Sequence, residues 1–198
     1  MRRAYQKDLR AFLASVMPGA DHALVFGEGP DRPVLMLIGE APGEQESLQG
    51  RPFVGKAGRN LDHFLELAGM NREEIYISNA VKIRPTKVSK TGRISNRPPT
   101  KEEIALFRPW LIREIAEIQP RMIATLGNVP LSAVTGTRQT IGQVHGTIIS
   151  AGETGLPLFA LYHPASLIYN RSLESVYEQD VRMLAQRLHA FSDVKKDI

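Results

Sequence analysis

One long loop of the sequence carries several of the groups that could do chemistry. Three carboxylates, Glu40, Glu44 and Glu46, and one aromatic ring, Phe53, lie within residues 39–58. Glycines and prolines keep this segment irregular, while carboxylates can act in acid–base or electrostatic catalysis and a ring can stack on a flat ligand. A loop this long is usually functional, so we predict part of a ligand site rather than a solvated turn with a buried ring.

An amide and a histidine stand at the ends of two further predicted strands. Asn79 lies in the β-rich run 75–81, and His163 directly follows the run 158–162. The carboxyl ends of parallel strands share one edge of a sheet, where open α/β sheets bind their ligands. We therefore expect the loop, Asn79 and His163 to meet there.

Positive charge is concentrated in one segment. The chain has 25 basic and 21 acidic residues, for a net charge of +4. The segment from residue 82 to residue 101 has no acidic residue and these basic ones: Lys82, Arg84, Lys87, Lys90, Arg93, Arg97 and Lys101. Such a patch is typical of a surface that binds a polyanion, with a solvated loop as the alternative. A pocket for a flat heterocycle beside a polyanion-binding segment suggests an enzyme that acts on a flipped-out nucleobase.

Composition excludes several classes of site. The chain has no cysteine, which rules out disulfides, thiolate catalysis and cysteine-ligated metal clusters. Its five histidines are scattered without metal-ligand spacing, so we expect no metal and no cofactor. No apolar run reaches membrane-spanning length and no signal peptide is evident, so we expect a cytoplasmic protein that does not contact membranes.

The order of predicted elements indicates an α/β fold. Apolar β-rich runs, the last two at residues 143–150 and 158–162, alternate with amphipathic helical segments, one of which starts at a capping box of Thr100 and Glu103. This order implies a mainly parallel sheet covered by helices on both faces. We expect one domain over residues 1–198, with an N-terminal helix in residues 1–20 and a frayed tail at residues 193–198.

Five short motifs together resemble the uracil-DNA glycosylase superfamily, and its family 4 of bacteria and archaea most closely. They are Gly39-Glu-Ala-Pro-Gly-Glu-Gln-Glu46, Gly50-Arg-Pro-Phe-Val-Gly55, Asn79 with Val81-Lys-Ile-Arg-Pro85, Leu126-Gly127 and Tyr162-His-Pro-Ala165. The resemblance runs from about residue 27 to about residue 188 and implies a three-layer α/β/α fold with a central four-stranded parallel sheet.

The resemblance also implies roles for individual residues. Glu40, Glu46 and His163 match catalytic positions, Phe53 the ring that stacks on uracil, and Asn79 the amide that reads the edge of the base. We further expect DNA contacts from two groups of residues. They are the basic Lys87, Lys90, Arg93 and Arg97, and, beyond the His-Pro turn, the backbone N–H groups of Ala165 and Ser166 and a wedge formed by Leu167, Ile168 or Tyr169.

One feature departs from family 4, whose members hold a [4Fe-4S] cluster with four cysteines. Ile83 and Phe107 stand in two of those positions, and the N-terminal pair has no counterpart. We therefore expect no cluster, and apolar packing of the N-terminal helix near Ile83 and Phe107 in its place.

The expected function is that of a monomeric, cofactor-free uracil-DNA glycosylase that leaves an abasic site. Two alternatives stay open. One is a superfamily member that excises a different deaminated base, and the other is a non-catalytic protein that binds damaged DNA.

Overall fold

A computed structural model describes residues 2–18 and 23–193 of the chain. The helices are α1 (Arg2–Val16), α2 (Glu44–Gln49), α3 (Lys56–Ala68), α4 (Lys101–Ile118), α5 (Asn128–Thr135), α6 (Ile141–Val144), α7 (Ser166–Tyr169) and α8 (Glu174–Asp193). The strands are β1 (Leu35–Gly39), β2 (Tyr76–Asn79), β3 (Thr86–Val88), β4 (Ile94–Asn96), β5 (Met122–Leu126), β6 (Ile148–Ser150) and β7 (Pro157–Leu161). In this described part, no helix combines the length and the apolar character needed to cross a membrane.

The central sheet has the strand order β2-β1-β5-β7-β6. Strands β2, β1, β5 and β7 pair in parallel, as expected for this α/β fold, and β6 adds an antiparallel edge strand. The sequence pattern suggested one strand over residues 143–150, but α6 occupies its beginning. The side chain of Gln143 accepts the Thr140 N–H at 2.9 Å, and this cap starts a helical turn where a strand was expected.

Strand side chains alternate between the two faces of the sheet, and each face has its own core. Leu35 and Leu37 of β1 pack with the cluster that contains Phe64 of α3 and residues of α8. Met36 and Ile38 point the other way, into the cluster that contains Leu111 of α4 and residues of α5. A sheet buried on both faces explains why its strands read as continuous apolar runs.

Helix α1 packs as predicted against the positions where cysteines were expected. Ile83 is 4% exposed and Phe107 is fully buried, in one cluster with Tyr5, Leu9 and Leu13 of α1. The predicted frayed tail, from residue 194 onward, lies outside the described residues; residue 193 itself ends α8.

The basic segment after β2 contains a hairpin rather than only a loop. Strands β3 and β4 pair antiparallel, with Val88 opposite Ile94. The hairpin projects between the end of β2 and the start of α4, and α4 begins at the predicted capping box of Thr100 and Glu103.

Candidate active site

A cavity of about 640 Å³ opens at the carboxyl edge of the parallel strands. Its walls include the five residues that the sequence singled out for chemistry and base recognition: Glu40, Glu46, Phe53, Asn79 and His163. The long loop, the end of β2 and the turn after β7 each supply at least one of them. The structure thus brings together residues separated by up to 123 positions in the chain.

Phe53 and Asn79 converge over the end of β1. A Cβ atom placed on Gly39 would lie 2.5 Å from Asn79 Oδ1 and 2.5 Å from Phe53 Cζ. Any side chain at position 39 would therefore displace the ring or the amide. Both residues are nearly buried, at 5% and 3% exposure, and both still line the cavity.

Phe53 occupies a backbone conformation that is costly for a bulky residue. Its φ angle is +53°, a left-handed region that bulky residues avoid. The guanidinium of Arg72 donates to the carbonyl oxygens of Phe53 at 3.0 Å and Pro52 at 2.5 Å. Arg72 also pairs with Glu28 at 3.1 Å, and Glu28 accepts two hydrogen bonds from Arg51. The strained turn is thus held by charged residues outside the pocket, and sequence reasoning missed them.

The Phe53 turn also depends on the start of α3. A Cβ atom on Gly58 would overlap the carbonyl oxygen of Phe53, so only glycine allows this approach. The sequence pattern suggested an uninterrupted loop over residues 39–58, yet α2 forms inside it at residues 44–49.

The carboxylate of Glu46 holds the walls of the pocket together. Its Oε1 accepts the backbone N–H groups of Val54 at 3.1 Å and Gly55 at 2.7 Å. Its Oε2 accepts the N–H of Gly43 at 3.2 Å. Three backbone donors occupy this carboxylate, an arrangement that favours a positioning role over the catalytic role predicted from the sequence.

Glu40 is the carboxylate that remains available to a ligand. It lines the cavity, is half-buried, and accepts no hydrogen bond from the described residues. Burial raises the pKa of the Glu40 carboxyl above its ordinary value. The backbone of Glu40 is fixed, because its carbonyl oxygen accepts the N–H of Val81 at 3.0 Å.

His163 lines the cavity with one of its two ring nitrogens bound by the backbone. The N–H of Ala165 donates to His163 Nδ1 at 3.1 Å, so the proton of the neutral ring resides on Nε2. Within the described ranges, Nε2 has no protein partner, and the ring lines the cavity. Burial lowers the pKa of His163 below its ordinary value, so the imidazole is neutral at neutral pH. It can donate a hydrogen bond to a ligand without carrying a charge.

The basic segment divides into exposed and engaged cations. Lys87, Lys90 and Arg93, here called the hairpin cations, are exposed on the β3–β4 hairpin and form no ion pair with any described residue. Arg97, by contrast, donates to both oxygens of Glu103 at 2.6 and 2.7 Å and to the carbonyl oxygens of Thr86 and Pro98. Arg97 is thus held in place by Glu103 and by backbone carbonyls while it lines the cavity, and its predicted phosphate contact stays a prediction.

Lys82 is not part of the basic surface at all. It is fully buried and forms an ion pair with Glu114 of α4, with 2.6 Å between Nζ and Oε2. Counting it among surface cations was wrong, since a single sequence does not show which acid lies opposite.

The turn after His163 uses the backbone donors that were expected to hold a phosphate. The N–H of Ser166 donates to the carbonyl oxygen of His163 at 2.8 Å. The Ala165 N–H is engaged as well, by His163 Nδ1, so both predicted phosphate donors have a protein acceptor. DNA binding by Ser166 stays a prediction, now for its hydroxyl group. Leu167 is half-buried against the core cluster of α3 and α8. Its role as a wedge stays a prediction. The side chains of Ile168 and Tyr169 lie outside the described part.

The structure offers no ligands for an iron–sulfur cluster at the expected positions. Ile83 and Phe107 are apolar and packed against α1, and the chain has no thiol to replace them. Among the described residues, no group of three or more His, Cys, Asp and Glu side chains could hold a metal ion. The residues present do not fit the cluster.

Comparisons with known proteins give consistent findings. Residues 26–188 match the family model described as "Uracil DNA glycosylase superfamily". The type-4 uracil-DNA glycosylase of Saccharolobus solfataricus is 37% identical over 171 residues, which cover 83% of this chain and 76% of that protein. The type-4 uracil-DNA glycosylase of Thermotoga maritima is 40% identical over 154 residues, covering 76% and 74%. The crystal structure of Pedobacter heparinus SMUG2 shares the fold, with a TM-score of 0.51, 14% identity, and coverage of 98% of this chain and 85% of that one.

Proposed function

The chain belongs to the uracil DNA glycosylase superfamily, and from this premise we propose how its pocket works as that of a uracil-DNA glycosylase. The enzyme hydrolyses the bond between uracil and deoxyribose and leaves an abasic site. One observation supports this most strongly. The predicted stacking ring, reading amide, histidine and carboxylate all line one cavity at the carboxyl edge of the sheet.

The chemical problem is the charge that develops as the glycosidic bond breaks. The sugar becomes cationic and the departing uracil anionic, so groups already positioned against each charge lower the barrier. We propose that His163 stabilises the uracil anion. The ring lines the cavity and Nδ1 accepts from the Ala165 N–H, which leaves the proton on Nε2, so a neutral imidazole can donate to uracil O2. A neutral imidazole with a lowered pKa is known to polarise carbonyl oxygens in enzymes.

Glu40 acts on the other side of the bond in this proposal. Its carboxylate is half-buried and free of protein hydrogen bonds within the described chain. It can orient the attacking water and stabilise the cationic sugar, and the partly desolvated surroundings strengthen that attraction.

Phe53 and Asn79 select the base. The Phe53 ring offers a stacking face, worth about 1–3 kcal/mol per base. The amide of Asn79 has an acceptor oxygen and a donor NH₂, which match the N3–H donor and O4 acceptor of uracil in one orientation. Glu46 contributes by fixing the loop around the ring through three backbone N–H groups, and the loop so held is our candidate for the wall that excludes the methyl group of thymine.

The hairpin cations are proposed to bind phosphates beside the pocket, and the Ser166 hydroxyl and Leu167 to contact DNA beyond His163. We also propose that the protein works without a cofactor, as a monomer, in the cytoplasm. Metal analysis of the purified protein tests the first of these. Light scattering at increasing concentration tests the second, and fractionation of cells the third.

A panel of oligonucleotides tests the proposed function. Each carries one uracil, hypoxanthine, xanthine or 5-hydroxymethyluracil, and strand scission in alkali reports abasic sites. We expect scission at uracil in an excess over every other base. Scission only at another base would favour a different specificity, and binding without scission at any base would favour a non-catalytic damage-binding protein.

A further inference from the structure

The proposed mechanism leaves a buried ion pair unused. Lys82 and Glu114 are 0% and 2% exposed, deeper than any charged side chain of the pocket. Their ion pair joins the end of β2 to α4. Buried ion pairs are weak contributors to net stability, because removing two charges from water costs about as much as their attraction returns. This pair is therefore better explained by the geometry that it fixes than by the stability that it adds.

All three protons of the Lys82 ammonium group have an acceptor. Nζ donates to Glu114 Oε2 at 2.6 Å, to Ser78 Oγ at 2.6 Å, and to the backbone carbonyl oxygen of Asn79 at 2.7 Å. Glu114 in turn accepts from Ser78 Oγ and from the hydroxyl of Tyr76, each at 3.0 Å. A fully satisfied buried network of this kind is rigid.

The contact with Asn79 links this network to the pocket. Among the described residues, no hydrogen bond holds the side-chain amide of Asn79, so its position follows from its backbone and from the close packing around Gly39. The Asn79 carbonyl lies at the last residue of β2 and is held by Lys82. The next two backbone N–H groups, of Ala80 and Val81, bind the carbonyl oxygens of Gly39 and Glu40 at 2.8 and 3.0 Å. The same turn thus sets the backbone positions of Asn79 and Glu40.

We propose that Lys82, oriented by Glu114 and Ser78, is a positioning residue that holds Asn79 in register with the base. This inference rests on the proposed function and adds a support behind the pocket. Lys82 acts from the side of the sheet opposite the Phe53 ring and touches no substrate. Its loss should impair recognition of uracil without impairing the binding of DNA, because misplacing a recognition group by about 1 Å can cost about a hundredfold in rate.

The test uses the double variant Lys82→Met/Glu114→Gln. The methionine fills the volume of the lysine stem, while the new amide at position 114 can still accept from Tyr76 and donate to Ser78. The variant therefore removes the donor to the Asn79 carbonyl without leaving a buried charge unpaired. Leu184→Ala, a truncation of a fully buried side chain of α8, is the control for a general loss of stability.

We expect the double variant to fold and to excise uracil about tenfold to a hundredfold more slowly in single turnover, with unchanged affinity for DNA that contains an abasic site. Leu184→Ala should lower the melting temperature and keep the wild-type rate below that temperature. In an Asn79→Ala background, the double variant should cause little further loss, because residues that act through one another are not additive.

Three results would overturn the inference: a wild-type rate in the double variant, a loss that adds in full to that of Asn79→Ala, or an equal loss in Leu184→Ala. If the double variant does not fold, Ser78→Ala replaces it, with an expected severalfold loss of rate and a wild-type rate as the contradicting result. An inactive wild-type protein would instead refute the proposed function, so the two failures are distinguishable.

Discussion

Replacing Glu46 with glutamine separates positioning from catalysis in this pocket. Glutamine has nearly the same shape, and one amide oxygen can still accept from Val54 and Gly55. Its NH₂ group then faces the N–H of Gly43, which loses its acceptor. If Glu46 acts only by positioning the loop, the Glu46→Gln variant should fold with a slightly loosened loop.

The loss of unfolding free energy depends on how many backbone N–H groups lose their acceptor. The Gly43 contact is partly exposed and water can replace it, so Glu46→Gln should cost about 1 kcal/mol of unfolding free energy. For a chain of 198 residues, this loss lowers the melting temperature by roughly 2–4 °C. Glu46→Ala also orphans the N–H groups of Val54 and Gly55 and should cost about 3–5 kcal/mol in total.

Calorimetry and single-turnover excision across a range of pH measure the two effects. We expect Glu46→Gln to reduce the rate severalfold and to leave the shape of the pH–rate profile unchanged. The control is Glu66→Gln, since the side chain of Glu66 on α3 is 83% exposed and lies outside the cavity lining, so it should tolerate the change. Wild-type stability combined with a thousandfold loss of rate, or an altered acid limb, would refute the reasoning and restore a catalytic role for Glu46.

Three further outcomes are expected. Replacing the hairpin cations with Ala should weaken binding to all DNA sequences alike and reduce the slope of log affinity against log salt by about 0.7–0.9 per lost contact; an unchanged slope would mean that they bind no phosphate. Burial raises the pKa of Glu40 and lowers that of His163. The active forms, the Glu40 carboxylate and the neutral His163 imidazole, are both deprotonated and therefore form as pH rises. The excision rate should therefore fall on acidification, Glu40→Gln should remove its part of that limb, and a rate that rises in acid would contradict the assignment. Arg72→Met should slow excision with little effect on DNA affinity, because the carbonyl oxygens of Pro52 and Phe53 lose their donor; a wild-type rate would show that the Phe53 turn maintains itself.

The convergence of the pocket could be predicted from the sequence because it follows from topology. Strands of a parallel sheet end at one edge, so residues after β1, β2 and β7 had to meet there. The packing of α1 on Ile83 and Phe107 was predictable for a related reason. Apolar residues in place of polar ligands need an apolar partner, and α1 has an apolar face.

The supports of the pocket were not predictable, because each depends on a partner distant in the chain. Lys82 reads as a surface cation until Glu114, 32 residues later, is found opposite it. The contact of Arg72 with the Phe53 turn likewise spans 19 residues. Arg97 gave a better signal, since Glu103 follows closely and already belonged to a predicted capping box.

Asn79→Asp is the variant that tests the central claim, recognition of uracil in this pocket, most directly. An ionised aspartate offers only acceptors, which repel uracil O4 and suit the N4 donor of cytosine. Losing this buried hydrogen bond should cost several kcal/mol and so slow uracil excision about a hundredfold or more. The measurement is single-turnover excision from matched uracil and cytosine oligonucleotides, with circular dichroism to confirm folding. We predict a folded variant that has lost most uracil excision, with any gained activity directed at cytosine, whereas near-wild-type excision of uracil would contradict the pocket described here.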